Sequence, residues 1–258
     1  MTVSGSAAQQ AAIPEPDVGR SWHMLLAPLI YLAVAAAMVA YTQLVPLDDI
    51  ERSALRLPFL ARRTWEHIRL VFYSTVLVLV VALPLGVLLT RRTLRRATPV
   101  VLAVVNVGQA TPAVGLIVLL AVVFRIGFWT AVVALFAYSL LPTLRNTMVG
   151  LEQVDPRLID AGRGIGMSAF GVLWRVELPM AVPVILSGVR TTLVLNVGTA
   201  GIAAFIGAGG LGDLITAGVS TQRNLVLITG CVLIAVLAML IDWAGGVAQR
   251  LLSPKGLT

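Results

Sequence analysis

The chain has 258 residues, of which 58% are apolar and only 12% charged, and it carries a net charge of +7. Soluble domains sit nearer half apolar and a quarter charged. This composition excludes a water-soluble enzyme, a disordered tail and a secreted disulfide scaffold, and it leaves a polytopic membrane protein.

In chain order, residues 1–23 lack the basic start and short apolar core of a secretory signal and read as a cytoplasmic tail. A helix crosses the hydrocarbon core with about 20 apolar residues. Runs of that scale fall at 24–45, 68–90, 100–124, 128–147, 182–206 and 225–247, which predicts an all-α fold of six spans. Residues 46–67, rich in Arg, with Trp65, Glu66 and His67, read as an amphipathic stretch lying along the outer interface. His67 is expected at that interface. The third run is interrupted by Gly108, Pro112 and Gly115 and the fifth is loosened by Gly198 and Gly201. Such breaks are tolerated only against protein or a cavity, so they mark either a packing seam or a pathway lining.

Arginine placement sets the orientation. With the N-terminus inside, the cytoplasmic side holds Arg20, the Arg91-Arg92-Thr93-Leu94-Arg95-Arg96 cluster, Arg145, Arg157, Arg163, Arg175, Arg190, Arg250 and Lys255. Arg52, Arg56, Arg62, Arg63, Arg69, Arg125 and Arg223 lie outside. The balance favours N-in and C-in, with the +7 charge meeting lipid headgroups rather than nucleic acid. An even span count agrees.

The long inner segment 148–181 is more than a connector. Asp155-Pro156 is a helix start, a carboxylate cap followed by proline at the first helical position. Leu158, Ile159, Ala161 and Ile165 recur at helical spacing, and Gly166 can end the helix in a left-handed turn. A second short helix is expected from Ser168 to Val176. Two short helices with a partly apolar surface form either a docking knob for a soluble partner or an interfacial pair resting on lipid.

Polar side chains at membrane depth are costly unless paired or facing water. Asn106, Gln109 and Thr111 near the third-span break, with Thr192 and Asn196 in the fifth span, therefore either line a path or hydrogen-bond between helices. The run Gly207-Ala-Gly-Gly-Leu-Gly212 is either a compact outer gate or receptor-contact loop, or a simple turn. No catalytic residues and no metal ligands are assigned, since His23 and His67 flank different spans.

The inner segment resembles the EAA loop of permease subunits in binding-protein-dependent ABC importers. Asp160-Ala161-Gly162, three residues, Gly166, nine residues and Val176-Glu177-Leu178-Pro179 keep that register, with Asp for Glu, Gly for the second Ala and Val for Ile. Tyr138-Ser-Leu-Leu-Pro-Thr-Leu-Arg-Asn146, Val154-Asp-Pro, Gly166-Met-Ser and Ala204-Phe-Ile-Gly-Ala-Gly-Gly-Leu-Gly-Asp213 are similar to the osmoprotectant branch, whose permeases serve glycine betaine, carnitine and choline.

The resemblance implies a five-helix permease core over 68–250 preceded by one extra helix at 24–45, with a short tail at 251–258, in the bacterial plasma (inner) membrane. It implies that Asp160, Ala161, Gly162 and Gly166 form the ATPase-coupling surface, with Leu178 and Pro179 anchoring it to the fifth span. Asp160 then caps or pairs on the partner, or else bridges to Arg157 or Arg163. Partners implied are a cytoplasmic ABC ATPase dimer, an extracytoplasmic solute-binding protein and a second permease copy or paralogue. A phosphate-binding loop needs Gly-x-x-x-x-Gly-Lys, and the only lysine is Lys255. The chain therefore carries no cofactor, and ATP and Mg belong to the ATPase. Import of ergothioneine or an amino acid, a stand-alone channel or secondary transporter, and a membrane enzyme are the other readings.

Overall fold

The computed structural model describes residues 20–252, with side chains from Leu26 onward, so tail residues 1–19 and 253–258, Lys255 among them, lie outside the described residues. Eleven α-helices make up the fold in this range: α1 (Arg20–Leu44), α2 (Asp49–Ala54), α3 (Leu57–Leu89), α4 (Thr98–Ala110), α5 (Ala113–Val123), α6 (Phe128–Glu152), α7 (Pro156–Gly164), α8 (Ala169–Val172), α9 (Leu178–Ala200), α10 (Gly212–Thr221) and α11 (Asn224–Leu252). Two 3-10 turns (Arg95–Ala97, Ile202–Ile206) and one π-turn (Leu173–Glu177) complete it. Long apolar helices account for five spans, and the pair α4–α5 forms a sixth, bent by 101°.

The bend has a local cause. Pro112 has no N–H to continue the ladder and forces Thr111 into an extended conformation (ψ 136°). The pair nevertheless crosses the membrane. At its inner end Thr98 Oγ1 donates to the Leu89 carbonyl at the end of α3. At its outer end α5 packs on the turn Ile202–Ile206. Six crossings therefore alternate from α1 to α11, and both helical ends at Arg20 and Leu252 face the same side.

Three expectations change. Residues 57–67 do not lie along the interface as a separate helix but form the first turns of the 33-residue α3. Within 46–67 only α2 is a separate short helix, capped reciprocally by Asp48 and Glu51. His67 is fully buried rather than interfacial. The second knob helix does not stop before Pro179 but runs on into the fifth span.

α6 sits at the centre, packed on α3, α9, α4 and α5, while α11 packs on α9 and α10. α1 leans on α11 and lies almost wholly on the surface. The main apolar core fills the outer half around Leu70, Leu135, Val197, Leu211, Leu214 and Val226. A second cluster, with Val78, Leu89 and Leu144, fills the inner half between α3 and α6.

Buried polar side chains on α9 bond across to neighbouring helices, although Asn196 Oδ1 is left without a partner. Thr192 Oγ1 bonds Thr143 Oγ1 at 2.8 Å and the Ser139 carbonyl at 3.0 Å. Asn196 Nδ2 donates to Thr75 Oγ1 at 3.0 Å. The last carbonyls of a helix lack intrahelical donors, and His67 Nε2–H meets that of Val197 at 3.0 Å.

α6 and α9 pack tightly at Gly188, where an added Cβ would stand 2.6 Å from Asn146 Cβ and 2.8 Å from the Pro142 carbonyl. Gly188→Val is expected to force these helices apart and destabilise the fold by about 1–3 kcal/mol. A thermal melt of the detergent-purified protein followed by circular dichroism should show a clearly lowered midpoint, with Gly188→Ala between the two. An unchanged midpoint for the valine variant would refute this contact.

Candidate functional site

The cytoplasmic knob is built from α7, α8 and the π-turn. Asp155 Oδ1 accepts the Arg157 N–H at 2.9 Å and Pro156 opens α7, as the Asp-Pro start requires. α7 closes with two bonds, Gly166 N–H to the Arg163 carbonyl and Met167 N–H to the Gly162 carbonyl. This reversal puts Gly166 at φ +88°, with open space where a Cβ would stand. The glycine there serves backbone conformation and not close packing. Gly162, by contrast, is the buried packing point: a Cβ would stand 3.3 Å from Val172 and 3.7 Å from Val176.

Ser168 Oγ then caps α8 by accepting the Gly171 N–H. Ahead lies Pro179, which cannot donate to the Arg175 carbonyl. The helix absorbs this by widening over Leu173–Glu177, with Leu178 N–H reaching back to the Leu173 carbonyl. From Ala169 to Ala200 the backbone is thus one unbroken helix of 32 residues that carries the knob into the fifth span. Leu178 packs in the cluster of Leu151, Ala181 and Ile185 at the foot of the knob.

The knob's outer face is apolar. Ile165 is 77% exposed, Phe170 69%, Trp174 58% and Leu158 42%. Asp160, Ala161 and Gly166 are exposed beside them. Asp160 makes no ion pair with Arg157 or Arg163, so its carboxylate points to solvent unpartnered.

One anchor escaped sequence reasoning. Glu177, nearly buried, takes a two-point ion pair from Arg91, with Nη1–Oε1 at 3.1 Å and Nη2–Oε2 at 2.5 Å. This ties the base of the knob to the inner end of α3. The signal was present only as an arginine cluster and an acid inside the Val-Glu-Leu-Pro stretch, 86 residues apart.

The polar residues near mid-membrane divide into two sets. Thr192 and Asn196 are fully buried in the interhelical bonds already described. Asn106 is exposed and Gln109 half-buried on α4, and Thr111, at the bend, bonds only its own helix at the Val107 carbonyl. Arg190, expected on the cytoplasmic side, instead lies within α9 and pairs with Asp242 of α11 inside the predicted spans.

At the outer end, Glu66 accepts from Arg62, Arg63 and the Gly210 N–H, and Arg63 also meets Asp213 at 2.9 Å. Burial pushes the Asp213 carboxyl up, opposed by the Arg63 charge. Gly210 (φ +91°) lies directly over His67, leaving 3.2 Å between an added Cβ and Nδ1. The glycine-rich run is thus a pinned turn on the end of α3.

Residues 82–255 match the family described as "Binding-protein-dependent transport system inner membrane component". The osmoprotectant import permease protein OsmW of Salmonella typhimurium (strain LT2) is 43% identical over 216 residues, 82% of this chain and 100% of that one. The glycine betaine/carnitine/choline transport system permease protein OpuCB of Bacillus subtilis (strain 168) is 39% identical over 195 residues, 76% of this chain and 89% of that one. Among solved structures, an inward-facing MetNI methionine ABC transporter chain aligns with a TM-score of 0.67 at 28% identity, covering 76% of this chain and 96% of that chain. With six crossings, a knob in EAA register and these likenesses, the chain belongs to the binding-protein-dependent transport system inner membrane components, the permease subunits of ABC importers.

Proposed function

We propose that this chain is the permease of an importer that brings a small osmoprotectant quaternary amine, such as glycine betaine, choline or carnitine, into the cell. The observation that carries the coupling half of this reading is the exposed apolar knob on a helix that runs without a break into the membrane. The substrate half is supported by relatives at 39% and 43% identity that are named for such solutes.

In this reading a separate ATPase, which binds ATP and Mg, receives Leu158, Asp160, Ala161, Ile165, Phe170 and Trp174 in a groove. Gly162 and Gly166 shape the knob that enters it. An extracytoplasmic binding protein delivers the solute, and a second permease copy or a paralogue completes the path. The chain itself performs no chemistry. Its division is an added helix at 24–45 and a core over 68–250 that carries the coupling loop. In this reading Asn106, Gln109 and Thr111, near the bend of α4–α5, line the path between the two copies.

Movement at the knob reaches the membrane because α9 leaves it as the same rigid rod. Its other end is held by His67 at the Val197 carbonyl. Arg91 and Glu177 keep the lower end fixed to α3, so a push on the knob acts on two spans together.

Uptake of labelled glycine betaine, choline and carnitine in a transporter-deficient strain carrying the neighbouring ATPase and receptor tests the whole reading. Saturable uptake of at least one solute is expected. It should vanish with Gly166→Pro at normal membrane level, because proline cannot take φ +88° or donate to Arg163. Uptake that survives Gly166→Pro would sink the coupling assignment, and no uptake by the wild type would sink the substrate class.

Arg91→Ala strands the Glu177 carboxylate in a nearly buried site at a cost of about 2 kcal/mol. Transport should fall severalfold, and the double variant Arg91→Ala/Glu177→Gln should recover part of it. Equal loss in single and double variants would show that the pair does not hold the knob.

A further inference from the structure

Arg190 and Asp242 form a two-point pair, Nε–Oδ1 and Nη2–Oδ2 each 2.5 Å, between α9 and α11. Asp242 lies five residues before the end of the predicted sixth span (225–247) and Arg190 eight residues after the start of the fifth (182–206), roughly 8 and 12 Å from the inner boundary by helix rise. That places the pair within the hydrocarbon region. Both side chains are nonetheless well exposed in the single chain, 39% for Arg190 and 41% for Asp242.

Charges at this depth do not face lipid tails; they face a bundle interior or water. The surface around them is shaped accordingly. A cavity of about 360 Å³ is lined by Ser187, Arg190, Thr191, Val194, Leu195 and Asp242. Ser187, Arg190 and Thr191 lie on one side of α9, facing Asp242 of α11, and Ser187 and Thr191 are exposed there. The Arg190 stem lies against Gly245 and its guanidinium against Gly246, where an added Cβ would stand 3.3 Å from Cγ and from Nη1 respectively. A guanidinium bedded on two glycines beside its carboxylate is held in one place and still reachable from the cavity.

We propose that Arg190 and Asp242 contact the solute in the translocation path and determine its class, taking the two ends of a small zwitterion. This deepens the osmoprotectant reading and rests on it. When the solute arrives, its carboxylate replaces Asp242 on the Arg190 fork, a bidentate match to guanidinium geometry. Its quaternary ammonium, which has no N–H to donate, is met by the freed Asp242 charge. No net charge is left unpaired at either stage: one ion pair becomes two while the solute is present, and the original pair re-forms after release. Choline, which lacks a carboxylate, engages Asp242 alone and leaves Arg190 without an exchange partner.

The test uses the complete importer, permease with its ATPase and receptor, in proteoliposomes at saturating receptor. Glycine betaine and choline transport rates are compared for the wild type, Arg190→Lys and the charge-swapped Arg190→Asp/Asp242→Arg. Lysine keeps the charge but loses the fork. The betaine-to-choline rate ratio should therefore fall about tenfold. The swapped pair should reach the membrane normally and still not restore the ratio. An unchanged ratio in Arg190→Lys, or full recovery of both rates by the swap, would reduce the pair to a structural tie and overturn the proposal.

A second measurement does not depend on the pair. In a Cys231→Ser chain, Thr191→Cys should react with a membrane-impermeant thiol reagent, and excess glycine betaine should slow that reaction. A thiol that stays unreactive would put this face against lipid or protein and overturn the proposal. A wild-type importer that carries neither solute would overturn the substrate class, and the zwitterion assignment with it. A wild type that carries both, with unaltered ratios in the variants, would overturn the pair's role alone.

Discussion

Between Ala169 and Ala200 the backbone stays helical through a proline that would ordinarily end or kink it. The π-turn at Leu173–Glu177 makes this possible by moving each hydrogen bond one residue further back around Pro179. Within the bundle, the polar ties between helices gather along this one rod. Glu177 holds it to α3 at the bottom, Thr192 and Asn196 hold it to α6 and α3 in the middle, and the Val197 carbonyl receives His67 at the top. Had the helix stopped before Pro179, the knob would hang on a loop, and displacement in the cytosol would be lost in its flexing.

The membrane makes these ties obligatory. Apolar side chains gain little from each other over lipid tails, so close backbone approach and satisfied hydrogen bonds must position the spans. Gly188 supplies the approach of α9 to α6, and Gly108 brings α4 within 2.8 Å, measured from an added Cβ, of the Ala137 carbonyl. The outer end uses charge instead. Arg223 pairs with Asp48, and the Arg62–Glu66–Arg63–Asp213 set joins α3 to α10. The Glu51 N–H, and then the Arg223 guanidinium, hold the Asp48 carboxyl below the usual carboxylate range.

Much of this was legible from local pattern. The apolar runs locate all six crossings, and the break at Pro112 was visible because proline disturbs its own neighbourhood. Asp155-Pro156, Ser168 and Gly166 mark the knob's caps within a few residues of where they act. What stayed hidden depends on partners far along the chain. The start of α3 looked interfacial because Arg62, Arg63 and Glu66 interrupt the apolar run, and nothing nearby reveals that Asp213 and Gly210 come to meet them. Asp242 sat unremarked within a strongly apolar stretch because its counter-charge is 52 residues away on another helix. The π-turn was equally invisible, since a proline after Val-Glu-Leu reads as a stop unless the surrounding packing holds the helix together.

The face formed by Leu158, Ile165, Phe170 and Trp174 has a further consequence for the life of the chain before assembly. Large apolar side chains displayed together in the cytosol are what chaperones and proteases read as unfinished folding. A permease made in excess of its partner thus advertises that it is unassembled, although its membrane bundle is fully folded. Under the coupling proposed above, the surface that receives the ATPase would in this way also set how many orphan subunits a cell tolerates, matching permease abundance to that of the protein that covers the knob.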